Sequence, residues 1–62
     1  MVGFRTKNSV YYVNEQNKTI TGGIFKDRVL PYTQLIAIIG FKAQITLNDG
    51  SYFETSQVKS YL

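Results

Sequence analysis

Phe41-Lys42-Ala43-Gln44-Ile45-Thr46-Leu47-Asn48-Asp49-Gly50-Ser51-Tyr52-Phe53-Glu54-Thr55 decides the fold class of this chain. Phe41, Ala43, Ile45 and Leu47 alternate with Lys42, Gln44 and Thr46, the period-2 pattern of a half-buried antiparallel strand. Asn48-Asp49-Gly50 supplies turn chemistry, and Ser51 to Thr55 returns. A two-residue loop at Asp49-Gly50 would set Ile45 opposite Glu54, a carboxylate among core side chains. A three-residue loop with Gly50 in the left-handed position of a G1 bulge sets Ile45 opposite Phe53 and Ala43 opposite Thr55. The second register is therefore expected, with Lys42, Gln44, Thr46, Tyr52 and Glu54 on the outer face.

Working toward the N-terminus, Leu35-Ile36-Ala37-Ile38-Ile39 is apolar on both parities. Such a run fits a strand covered on both faces or a short buried helix, and its isoleucines favour the strand. Gly40 ends or bends it. Phe25 to Pro31 carries three consecutive charges and ends in a residue that cannot donate a ladder hydrogen bond, so a loop is expected there. Ser9 to Val13 is β-branched and aromatic, Asn14 to Asn17 is a turn, and Lys18 to Thr21 resumes the alternation before Gly22-Gly23 permits a bend. A first hairpin thus spans roughly Val10 to Ile24. The tail, Ser56 to Leu62, fits either one helical turn or a last short strand, with Val58 and Tyr61 packed inward.

Five short strands joined by tight turns, in 62 residues, predict an all-β fold: a curled antiparallel sheet or SH3-like barrel forming one domain over 1–62. A chain of this length buries only about 60% of its unfolded surface. Small domains often add a staple, yet there is no cysteine for disulfides or thiolate metal sites and no histidine. The four carboxylates, Glu15, Asp27, Asp49 and Glu54, are scattered singly, whereas a cation site wants oxygen ligands converging in one loop. No metal or other cofactor is expected. Well-packed apolar side chains and self-association into a homo-oligomer are the remaining stabilisers.

Catalysis is not expected either. A general acid–base group near neutral pH or an activated nucleophile is required, and no serine has a basic partner that the sequence suggests. The apolar run at Leu35 is far short of the roughly 20 residues needed to cross a bilayer. Met1 to Lys7 lacks an apolar h-region, so it does not read as a signal peptide, and a cytoplasmic, non-membrane protein is expected.

Binding is what remains. The net charge of +3 comes from seven Lys or Arg against four acids, a mild bias compatible with nucleic acid and with ordinary solubility. Lys26 and Arg28 lie between Phe25 and Tyr32, a basic and aromatic interleaving of the kind found in single-strand grooves. Its bland counterpart is a solvated loop flanked by core aromatics, since Asp27 interrupts the basic run. Arg5 and Lys7 would join Tyr11 or Tyr12 if the first strand is extended. Both parities of Val10 to Val13 are apolar, so one tyrosine is left exposed unless a loop covers it. The candidate partner-binding residues are therefore Arg5, Lys7, Tyr12, Lys26, Arg28 and Tyr32, with nucleic acid as the leading partner. The alternative is a protein partner, for an accessory or inhibitor module of the kind phages and mobile elements encode, held at an exposed aromatic face or sheet edge.

Leu35 to Ile38, Ile45 to Gly50, Tyr52, Val58 and Leu62 together resemble the opening hairpin of LytTR-type DNA-binding domains. The resemblance covers under half the chain, and the second half of that family, which supplies its DNA-contacting loops, does not follow. No functional residue is carried over.

Overall fold

A computed structural model of the chain describes residues 2–62. Among these residues six strands follow one another: β1 (Gly3–Thr6), β2 (Val10–Asn14), β3 (Thr19–Gly22), β4 (Leu30–Ile36), β5 (Lys42–Leu47) and β6 (Tyr52–Tyr61), with one 3-10 turn at Gly23–Phe25 between β3 and β4. Every sequential pair is antiparallel, and β6 returns to pair with β1, which closes the barrel. The all-β antiparallel expectation holds and a small SH3-like barrel fits, with six strands instead of five. The additional strand is β1, whose Gly3-Phe4-Arg5-Thr6 is too short to signal a strand by its own pattern. Among the described residues, no helix is long and apolar enough to cross a membrane.

The β5–β6 hairpin has the expected register. Ile45 faces Phe53, the Leu47 N–H donates to the Ser51 carbonyl at 2.8 Å, and Gly50 takes φ +89 in the three-residue loop. Ala43 meets Thr55 through a side chain: the Thr55 hydroxyl accepts the Ala43 N–H at 3.1 Å and donates to the Ser56 carbonyl at 2.7 Å. That substitution of hydroxyl for carbonyl occurs where the ladder slips, between the Lys42–Gln57 and Gln44–Glu54 pairs. A bulge inserts an extra residue into one strand and leaves ladder groups unmet, so a buried threonine is the local remedy.

Inward side chains come from both halves of the chain. Phe4, Tyr11, Val13 and Ile20 meet Ala43, Ile45, Leu47 and Val58 inside the barrel, and Phe25 and Tyr32 complete the cluster. Phe4 stacks on Tyr11 at 5.0 Å between ring centroids, while Phe25 stands edge-on to both Tyr11 and Phe53. Each such side chain contributes about 1.5–3 kcal/mol by leaving water.

Four sequence expectations need correction. The apolar run at Leu35 to Ile39 is not covered on both faces: β4 ends at Ile36, and Ile38 and Ile39 are about half exposed. A barrel has one interior, and no further layer lies over its outer face. The loop predicted for Phe25 to Pro31 ends at Val29, because Leu30 and Pro31 pair with Ile20 and Thr19. Phe41, expected inward from its alternation with Ala43, is 67% exposed. Its backbone is pinned to Val58 at the rim, beyond the end of β5, where alternation no longer points into the interior. The tail is strand throughout; Val58 is buried as expected, whereas Tyr61 is half exposed, its hydroxyl donating to the Ala37 carbonyl at 2.7 Å.

Candidate nucleic-acid interface

Alternation along β1 and β2 decides which of the candidate residues face outward. Phe4, Tyr11 and Val13 point inward, so Arg5 and Tyr12 lie on the outer face. Tyr11 is 1% exposed and Tyr12 is 56% exposed, which resolves which of the two tyrosines is free. Arg5 pairs with Val10 and Gly3 with Tyr12, making Arg5 and Tyr12 diagonal neighbours roughly 7 Å apart at Cβ. Lys7 follows directly at the end of β1, where its N–H donates to the Gln57 carbonyl at 3.2 Å.

Gln57 brings further cations to this surface. It is the Cα partner of Lys42 across the β5–β6 ladder, and its side-chain oxygen accepts from the Lys59 Nζ at 3.1 Å. Its amide donates to the Gly40 carbonyl, which fixes the side chain. β6 slips register against both neighbours, against β5 near Gln57 and against β1 at Lys59, and Val58 between the two slips is fully buried. Bulges re-aim side chains. Here they hold Val58 inward and leave Gln57 and Lys59 exposed on either side of it. Arg5, Lys7, Lys42 and Lys59 thus share the outer face of β1, β6 and β5, four of the chain's seven Lys and Arg.

The carboxylates lie elsewhere. Glu15 is in the β2–β3 turn, Asp27 in the loop after Phe25, and Asp49 in the β5–β6 turn. Glu54 pairs with Gln44 on the next rung from Lys42, and bounds the basic face at that end. Desolvation first, and then the Glu54 carboxylate, raise the phenol pKa of neighbouring Tyr52 above its ordinary value. Asp49 is turned toward the Ser51 N–H at 2.9 Å, and that bond holds its carboxyl below the usual carboxylate range.

The other sequence candidates separate. The Lys26 backbone is held against β3, its carbonyl accepting from the Gly22 N–H at 3.0 Å and from the Thr21 hydroxyl at 3.4 Å. Lys26 and Arg28 both line an open cleft of about 600 Å³ between the β3–β4 loop and the β5–β6 turn. Phe25, Leu30, Leu47 and Phe53 line the same cleft. Tyr32 is not available as a surface residue: it is 8% exposed within the core cluster. Its phenol is raised above the ordinary value by burial and, secondarily, by the charge of Glu15. Tyr32 is the third residue of β4, buried between the exposed Pro31 and Thr33.

Sequence reasoning placed Lys42 on the outer face of the second hairpin and did not single out Lys59. Neither residue is near Arg5 or Lys7 in sequence; the β1–β6 closure brings them together. The Gln57-Val58-Lys59 alternation was the available signal. No family model, curated protein or solved structure matches the chain.

Proposed function

We propose that this barrel is a non-catalytic nucleic-acid-binding module that holds the phosphate backbone on the outer face of β1, β6 and β5. The observation that carries this reading is the grouping of Arg5, Lys7, Lys42 and Lys59 around Gln57, with the nearest carboxylate in the ladder, Glu54, one rung beyond. Cations gathered on one face without interleaved acids attract a polyanion at long range, and each phosphate neutralised releases counterions. Four such contacts with a single strand give a slope of roughly −3 in log K against log salt. Fluorescence anisotropy of a labelled oligonucleotide over a salt series tests this. Binding that weakens with about that slope supports the reading, and absence of binding at low salt ends it.

A protein partner is favoured by a different surface. Ile36, Ile38, Ile39 and Phe41 are all exposed around the β4–β5 connection, and Tyr61 reaches it through the Ala37 carbonyl. Exposed apolar side chains grouped in this way mark protein contact sites in other small domains. Association there would tolerate salt, and Ile39→Asp would abolish it while leaving the oligonucleotide titration unchanged.

A further inference from the structure

The surroundings of Tyr12 carry the reading further. Tyr12 lies opposite Gly3 on β1 and Thr21 on β3, and a Cβ at Gly22 would sit 3.5 Å from Tyr12 Cδ2. Its outward direction from β2 leaves the ring 56% exposed. A cation stands beside it: Arg5 is diagonal to it on β1.

Among the described residues there is no helix of the kind that enters a duplex groove. Reading base edges in the major groove requires a protruding helix or two-stranded ribbon. Among the described residues the helical content is the single turn Gly23–Phe25. A ring presented on a sheet surface meets bases only when they are unstacked and turned toward it.

We infer that the nucleic acid held here is single-stranded, with one base stacked on Tyr12 and a flanking phosphate over Arg5. This rests on the basic face proposed above, and adds to it the substrate class and the residue that selects it. Tyr12 acts through its ring, so the hydroxyl is dispensable.

The test compares oligo-dT, oligo-U and a blunt duplex of equal length, titrated into the wild-type chain, Tyr12→Ala and Tyr12→Phe at one salt concentration. Thermal melts confirm that each variant is folded. Both single strands are expected to bind more tightly than the duplex. Tyr12→Ala should lower single-strand affinity about 5- to 150-fold, the span of one base–aromatic stack, and leave duplex binding unchanged. Tyr12→Phe should bind like the wild type. Equal or tighter duplex binding, or an equal loss of both kinds of binding in Tyr12→Ala, would overturn the single-strand inference while sparing the basic face. Loss of all three ligands from the wild-type chain would instead remove the basic face itself. Arg5→Ala should also weaken oligo-dT binding; an unchanged affinity would refute the phosphate contact beside the stacked base.

Discussion

The Tyr11 hydroxyl accepts the Ile24 backbone N–H at 3.2 Å, so a ring rooted in β2 holds the start of the loop that follows β3. Gly23 lies against that ring at φ +50, and a Cβ there would overlap the ring carbons. Core, 3-10 turn and basic loop are therefore one mechanical unit, and Lys26 is placed by what Tyr11 does inside the barrel.

Gly23→Ala should accordingly destabilise the fold by about 3 kcal/mol or more, from left-handed strain and overpacking together. Tyr11→Phe removes only the acceptor and should cost about 1 kcal/mol. In a domain of this size each kcal/mol lowers Tm by roughly 4–8 °C, so thermal melts separate the two variants.

Thr55 is buried and its hydroxyl serves two backbone groups at the β5–β6 slip. Thr55→Val keeps the shape and leaves the Ala43 N–H without its acceptor, at a cost of about 1–3 kcal/mol. Thr55→Ser retains the hydroxyl and should recover most of that loss in urea denaturation. Equal stability of the valine variant would show that the bulge does not need the hydroxyl.

Acid should weaken the β5–β6 turn. The Asp49 carboxyl is held below its usual range, foremost by the Ser51 N–H. A depressed folded pKa means a contribution that is present above the unfolded value, about 4, and lost as pH falls through the folded one. Asp49→Ala should therefore flatten the acid limb of the stability–pH profile and leave the neutral region shifted by a constant amount. At the alkaline end the sign is opposite. Burial raises the Tyr32 phenol, so its contribution is whole below the unfolded value of about 10 and lost as pH rises through the folded one. Tyr32→Phe should extend the alkaline limit of folding.

The Gln57 grouping makes a paired prediction. Lys42→Glu with Lys59→Glu should reduce the magnitude of the salt slope by at least about 1.4, the share of two phosphate contacts on a single strand. Arg28→Glu, which alters the cleft at the other side of the β3–β4 loop, should change it far less. Anisotropy titrations at several salt concentrations read both.

Much of this architecture was legible from residue order. The strict alternation and turn residues of Phe41 to Thr55 fixed a register that the hydrogen bonds reproduce, because local chemistry and core facing agreed there. Legibility failed where facing depends on distant pairing. Phe41 obeys the alternation of its strand yet lies past the barrel's rim, and Ile38 and Ile39 are apolar without a layer to cover them. The functional candidates divide in the same way. Arg5 could be set beside the Tyr11-Tyr12 segment, but which tyrosine shares its face is decided by β1, a strand too short to signal itself. Lys59 joined them only through the β1–β6 ladder, and Tyr32 left them because a packed core, not a basic neighbourhood, claims its ring.

That ladder continues to Leu62, whose N–H donates to the Gly3 carbonyl at 3.0 Å. Gly3 and Leu62 are thus adjacent, and the strands form a circuit in which the opening between β6 and β1 has no special place. A circular permutant that joins Leu62 to Gly3 through a short linker and opens at the Asn48–Gly50 turn keeps every strand pair. What changes is which pairing spans the most sequence: β1 with β6 becomes a local hairpin, and β5 with β6 becomes the distant closure. Since folding rate follows the sequence separation of contacts, such rewiring would alter the order in which this barrel assembles while preserving the barrel: Arg5, Lys7 and Lys59 would meet early, and Lys42 on β5 would join them only at the new closure.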